Sequence, residues 1–135
     1  SAASDVYKRQ RLGIAQVLNG QAVAAQTAFA QSLSLQPDNL DSRCNLALAY
    51  ALGGQSQQAL DTIAPVTQSP RALPRHQRNE LLVMVLAGYE QKVAGLALDD
   101  IPAAERARLI TEAKRIKAIS DPVAQAKELG LVDPR

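Results

Sequence analysis

Residues 40–66 decide the fold, and they read LDSRCNLALAYALGGQSQQALDTIAPV. Apolar residues recur at helical spacing on both sides of the pair Gly53-Gly54. Because glycine pairs mark turns, this pattern predicts two antiparallel helices joined by a short connection.

The same pattern occurs one period earlier in the chain, with Asn19-Gly20 in the place of Gly53-Gly54. Three further pairs share a repeat position: Leu12 and Leu46, Ala25 and Ala59, and Phe29 and Ile63. A period of about 34 residues made of helix pairs is typical of tetratricopeptide repeats (TPR), and the chain resembles that family. The resemblance implies an all-α, right-handed solenoid of antiparallel helix pairs with a C-terminal capping helix.

The resemblance also implies a packing scheme. Small residues such as Gly13 and Ala25 let neighbouring helices approach closely. Large apolar residues are expected to fill the space between them, namely Leu12, Leu46, Phe29 and Ile63. Pro65 is expected to bend or end the second helix of the second repeat.

The repeat period divides a single domain into five segments. They are residues 1–10, read as cloning-adaptor sequence or a frayed segment overlapping the first repeat; repeats at 6–39 and 40–73; a degenerate third repeat at 74–100; and a capping helix with tail at 101–135. In the third repeat, Glu80 occupies the position of Leu46 and Gly88 that of Gly54.

The capping helix is expected to begin after Asp99-Asp100, because acids and an early proline favour a helix N-terminus. Its apolar stripe and charged opposite face suit the end of a solenoid. A last short helix is expected, with Asp121 as its cap, Pro122 at its start and Gly130 at its end.

Composition narrows the possible functions. Apolar residues make up 47% of the 135 residues and aromatic residues only 3%, which favours closely packed helices over sheets. A net charge of +2 and the lack of a basic, aromatic-rich patch do not predict nucleic-acid binding. No apolar run reaches the length of about 20 residues needed to span a membrane.

The sequence carries no recognisable catalytic, metal or cofactor pattern. The single histidine, His76, is expected in solvent near a helix start, with no carboxylate to orient it. Cys44 is the only cysteine and is interpreted as a packed or groove-lining thiol. Asp99 and Asp100 are interpreted as helix caps. We therefore predict that the chain is not an enzyme and needs no metal or cofactor.

The predicted function lies in a groove lined by the first helix of each repeat. Asn45 and Asn79 share a repeat position and are expected to bind a peptide backbone. Arg75 and Arg78 are expected to bind a carboxylate. The full set of predicted groove residues is Arg11, Ile14, Leu18, Cys44, Asn45, Leu48, Leu52, Arg75, Arg78, Asn79 and Leu82. Gln10, Ile14 and Asn79 depart from the residues of TPR domains that clamp C-terminal carboxylates, which argues against that function.

A narrower resemblance rests on four segments: NLALAYALGGQSQQAL at 45–60, IAPV at 63–66, SPRA at 69–72, and RHQRN at 75–79. Together they resemble the TadD-type TPR proteins of bacterial tight-adherence (Flp) pilus systems, over roughly residues 11–95. This resemblance implies a periplasmic, outer-membrane-associated lipoprotein that assists assembly of the pilus or secretion apparatus.

Three alternatives stay open beside that hypothesis. The chain could be a cytoplasmic TPR adaptor, a docking or regulatory fragment of a larger enzyme, or a repeat unit that associates with itself. In the leading interpretation it is a non-catalytic scaffold that binds a protein or peptide segment in its concave groove. Neither the partner nor the oligomeric state is predicted.

Overall fold

A computed structural model describes residues 1–129, which contain helices and no strand. The elements are α1 (Ala2–Leu18), α2 (Ala22–Leu35), α3 (Leu40–Leu52), α4 (Ser56–Ile63), α5 (Pro74–Leu86), a 3-10 helix (Glu90–Gly95), α6 (Ala103–Lys117) and α7 (Pro122–Glu128). The pairs α1–α2 and α3–α4 are the predicted helical hairpins. The structure therefore confirms the all-α prediction and is consistent with a TPR solenoid.

Three glycine turns set the period of the stack. Gly20 and Gly54 both have φ +76° and Gly88 has φ +91°, a conformation that glycine adopts without the cost of a Cβ clash. In each turn the N–H after the glycine donates to a carbonyl five residues back: Gln21 to Gln16, Gln55 to Tyr50, and Tyr89 to Met84. This bond is the mark of a Schellman C-cap, so the three turns share one geometry.

The interior follows the predicted repeat positions. Phe29 and Ile63 are fully buried, and so are Ala25 and Ala59. A methyl group added to Gly13 would lie only 2.4 Å from Cε1 of Phe29, which shows how closely α1 and α2 approach. Small residues on one helix thus face large residues on the other, as predicted.

The prediction that Leu12 fills the space between helices is wrong, because half of its surface (50%) is exposed while its counterpart Leu46 is buried. Leu46 belongs to a cluster with Ala25 and Phe29, so this position faces the preceding helix pair. Among the described residues no helix precedes α1, and the side chain of Leu12 therefore has no such surface to pack against.

Residues 2–10 are helical and form the start of α1. Ser1 caps α1 by accepting the Ser4 N–H at 3.2 Å, and Val6 and Gln10 are buried. Gln10 donates to Ser42 Oγ at 2.7 Å, and the Ser42 hydroxyl lies 2.8 Å from the Ser32 hydroxyl. This buried polar chain joins α1, α2 and α3.

The segment predicted as a degenerate third repeat contains one α-helix. Its first helix, α5, and the Gly88 turn are present, but a 3-10 helix replaces the second helix. The second helix of the second repeat is also short, since α4 ends two residues before Pro65 as predicted. The layer formed by the second helix of each pair therefore contains less α-helix toward the C-terminal end of the stack.

The capping helix α6 runs in the same direction as α5. Arg78 near the start of α5 donates to Glu105 near the start of α6 at 3.0 Å. Lys114 near the end of α6 pairs with Glu90, just after the end of α5, at 3.3 Å. The N-terminal ends of α5 and α6 thus lie together, and so do their C-terminal ends, so the two helices are parallel. α6 therefore takes the position that the first helix of a fourth repeat would occupy.

Of the cap residues predicted for α6 and α7, Asp121 is confirmed and Asp100 is not. Asp100 does not cap α6, whose N-cap residue is Pro102; instead Asp100 accepts the Gln77 side chain at 3.1 Å. Asp121 does cap α7, because its carboxylate accepts the Ala124 N–H at 3.1 Å. Pro122 is the first residue of α7, and the predicted end at Gly130 lies outside the described residues.

The close approach at Gly13 gives a direct test of the packing. Gly13→Ala is expected to lower the free energy of unfolding by about 1–3 kcal/mol, because the new methyl overlaps the immobile ring of Phe29. This loss exceeds the gain of about 0.5–1 kcal/mol in helix propensity. The matched control is Gly95→Ala, whose methyl would meet no atom within 4 Å. Equal stability of both variants in urea unfolding would contradict the expected overlap.

Candidate functional site

The candidate site is the face on which the first helices lie side by side. Arg75 at the start of α5 donates through Nε and Nη2 to the Asp41 carboxylate at the start of α3, each at 3.2 Å. The starts of α3 and α5 therefore meet, as do those of α5 and α6. We call the surface shared by α1, α3, α5 and α6 the first-helix face.

The predicted groove residues fall into three groups. Arg11, Leu18, Arg75 and Arg78 are exposed; Ile14, Leu52 and Leu82 are partly buried; and Cys44, Asn45, Leu48 and Asn79 are buried. The two asparagines lie in the interior, so their carboxamides are not presented to a peptide as predicted. The residues of the set that are not buried are therefore four apolar side chains, of which only Leu18 is exposed, and three arginines.

Helix α7 covers part of this face. Its Ala126 is buried in one cluster with Val17 of α1 and Ala49 of α3. A Cβ placed on Gly20, just after α1, would lie 3.3 Å from Cγ2 of Val123, at the start of α7. The chain's own C-terminal segment therefore occupies the first-helix face beside the C-terminal end of α1.

The other end of α7 is held by α6. Leu129 is buried in the second cluster, which contains residues of α3, α5 and α6 such as Leu48, Val85 and Ile116. Glu128 pairs with Arg115 at 3.0 Å, and Gln125 Nε2 donates to the Ile116 carbonyl at 3.1 Å. α7 thus bridges the first and last of the parallel helices.

The two arginines expected to bind a ligand carboxylate already contact carboxylates of this chain. Arg75 pairs with Asp41, and Arg78 pairs with Glu105. Asp41 and Arg75 occupy the same position in successive repeats, and such positions lie next to each other in a solenoid. The sequence therefore contained this pair, and comparing residues one period apart would have found it.

His76 is not a solvated histidine without a carboxylate. It is buried, its Nε2 lies 2.6 Å from Asp41 Oδ1, and its Nδ1 accepts the Leu73 N–H at 3.0 Å. Because Nδ1 accepts a hydrogen bond and so carries no hydrogen, Nε2 is the nitrogen that is protonated and donates to Asp41. His76 therefore caps α5 and ties it to α3.

The Asp41 carboxylate is the centre of this network. Burial alone raises the pKa of Asp41, but the hydrogen bonds from His76 and Arg75 outweigh it and hold the pKa below its ordinary value of 3.8. Folding therefore favours the ionised form. The network joins the second and third repeats and makes the first-helix face rigid at this end.

Asp41→Asn is expected to lower the free energy of unfolding at neutral pH by about 1.5–3 kcal/mol, because it weakens hydrogen bonds to a charged group. The matched control is Asp38→Asn, since Asp38 pairs with Arg71 at 2.6 Å on the open surface. That surface pair is expected to contribute less than about 1 kcal/mol.

The pH dependence has a definite sign. Below pH 3.8 the unfolded state takes up a proton before the folded state does, so this stabilisation is lost as the pH falls. Urea unfolding of both variants between pH 3 and pH 7 would measure it. An equal change for Asp38→Asn would contradict the assignment to Asp41.

Cys44 lies one helical turn after Asp41, but the two do not form a nucleophilic site with His76. Both ring nitrogens of His76 are already engaged, so neither is left to take the thiol proton. Burial, together with the charges of Asp41 and Glu80, raises the pKa of the Cys44 thiol. The geometry therefore disfavours the thiolate that covalent catalysis requires.

Glu80 is the most unusual residue near the site. It is fully buried at the position where the second repeat has Leu46, and neither carboxylate oxygen has a hydrogen bond of good geometry. Burial raises the pKa of Glu80 to about 7, although Thr67 lies close enough to favour the ionised form in part. Near neutral pH the protein thus holds this carboxyl partly protonated.

Two features are absent from residues 1–129. In that part of the chain no helix is both long and apolar enough to cross a bilayer. No group of three or more histidine, cysteine, aspartate or glutamate residues is arranged there to hold a metal ion.

Comparison with known families adds one finding. Residues 28–61, from the second half of α2 to most of α4, match the family model described as Tetratricopeptide repeat. The match supports a tetratricopeptide repeat protein, a class of generally non-catalytic scaffolds for protein interactions. Neither a curated protein nor a solved structure matches the chain.

Proposed function

We propose that this chain is a non-catalytic scaffold that binds a segment of a partner protein on its first-helix face. The observation that carries the proposal is that four apolar side chains of these helices are not fully buried: Leu18 is exposed, and Ile14, Leu52 and Leu82 are partly buried. Buried polar networks join the parallel helices that carry these side chains. A surface of apolar and charged side chains suits the binding of a peptide or helix.

The finer proposal is a role in assembling a bacterial pilus or secretion apparatus. Its support is the resemblance to TadD-type proteins in residues 45–60 and in the linker at 69–72. The partner segment would then belong to a pilus-assembly or secretion component.

Affinity capture from the source cells, with two matched variants, tests both levels of the proposal. Leu18 and Leu35 are equally exposed, 41% and 43%, but only Leu18 lies on the first-helix face. Leu18→Asp is expected to lose the captured partner, whereas Leu35→Asp on α2 is expected to keep it.

Retention of the same partner by both variants would overturn binding on this face. Mass spectrometry of the captured protein decides the finer proposal. A pilus or secretion component supports it, and a partner of another kind, lost with Leu18→Asp, leaves only the scaffold.

A further inference from the structure

Helix α7 has the pattern of a ligand for the face that it covers. Val123, Ala126 and Leu129 lie three residues apart and form one stripe, of which Ala126 and Leu129 are buried. Ala124, Lys127 and Glu128 point to the exposed side. This arrangement is an amphipathic helix with a small residue where two helices must approach closely.

Charge complementarity supports this interpretation. The last turn of α6 carries three basic residues, Lys114, Arg115 and Lys117. Lys114 pairs with Glu90, whereas Arg115 pairs with Glu112 on its own helix and with Glu128 of α7, the latter at 3.0 Å. A ligand helix with a carboxylate at the position of Glu128 would make the same contact.

Helix α7 is short and contributes few buried apolar side chains to the core. The helix spans only Pro122–Glu128, and helices of this length are marginal in water without packing partners. Its buried apolar side chains are Ala126 and Leu129, with Val123 partly buried. A longer helix of the same pattern would present more contacts to the same face.

We propose that α7 occupies the binding site of the partner segment on the first-helix face. The partner segment displaces α7 when it binds. The partner segment is then an amphipathic helix with a small apolar residue, a carboxylate two positions later, and leucine one position after that. This inference rests on the proposed function and adds to it the chemistry of the partner and a competing segment.

A binding experiment on the whole chain tests the competition. The probe is a fluorescent peptide, ISDPVAQAKEL, with the sequence of residues 119–129. Ala126→Asp places a charge in the buried contact and is expected to release α7. The matched control is Ala124→Asp, which makes the same change on the exposed side of the same helix.

By fluorescence anisotropy, we expect Ala126→Asp to bind the probe at least about tenfold more tightly than the unaltered chain or Ala124→Asp do. The reason is that the released α7 of this variant no longer competes with the probe for the first-helix face. Equal binding by all three proteins, or no binding by any, would overturn the inference. Circular dichroism checks that the repeats of Ala126→Asp remain helical.

Hydrogen exchange on the unaltered chain gives a second readout that does not depend on a variant. Adding the probe is expected to speed exchange of the α7 amides by releasing this helix. Unchanged α7 protection at saturating probe would contradict displacement.

The outcomes separate this inference from the proposed function. If a captured partner binds the face while α7 remains protected, the scaffold stands and the competition falls. If the probe displaces α7 but no partner depends on Leu18, the scaffold proposal falls, and the inference that a partner displaces α7 falls with it.

Discussion

Phe29→Ala is expected to lower the free energy of unfolding by about 3–5 kcal/mol. Phe29 is the only phenylalanine, is fully buried, and fills the space left by Gly13. Its removal deletes the ring and leaves a cavity that the α1–α2 hairpin closes only in part. The loss is large beside the total stability of a small domain, about 5–15 kcal/mol.

Urea unfolding followed by circular dichroism measures this loss. The control on the same helix is Val23→Ala, because the Val23 side chain is mostly exposed. That variant is expected to change stability by less than about 0.5 kcal/mol. A loss below about 1 kcal/mol for Phe29→Ala would show that the ring is not the centre of this hairpin.

Glu80 is expected to make the protein less stable as the pH rises from about 4.5 to about 7. The unfolded carboxyl ionises near 4.5, whereas burial keeps the folded carboxyl protonated up to about 7. Between these values unfolding releases a proton, so the free energy of unfolding falls with rising pH. The pKa difference corresponds to a decline of about 3 kcal/mol.

Glu80→Leu is expected to remove most of this decline and to raise stability at pH 8 by roughly 2–3 kcal/mol, because it replaces a buried charge with the side chain found at Leu46. The control is Glu90→Leu, since Glu90 is partly exposed and pairs with Lys114. Urea unfolding from pH 4 to pH 8 compares the variants with the unaltered chain. An unchanged pH profile in Glu80→Leu would contradict the role given to this carboxyl.

The turns and the packing within one helix pair were predicted well from the sequence. Gly20, Gly54 and Gly88 recur with the period because each turn needs a residue with positive φ. Ala25 and Phe29 were placed correctly because their neighbours lie within the same helix pair. Such features depend on short stretches of chain, which one sequence displays directly.

Contacts between distant elements were predicted poorly. The position of α7 depends on how α1 and α6 are spaced across the stack, which no local pattern encodes. The burial of Asn45 and Asn79 has the same origin, since it depends on how the first helices pack against the rest of the stack. His76 was misread because its partner Asp41 lies in the preceding repeat.

The parallel position of α6 makes the two ends of the solenoid unequal. α6 covers one end of the described stack, and most of its charged side chains are exposed. At the opposite end Leu12 remains uncovered at the position where Leu46 contacts the preceding helix pair. The two ends of the described stack therefore differ in chemistry: the α1 end presents an apolar side chain, and the α6 end presents a charged surface.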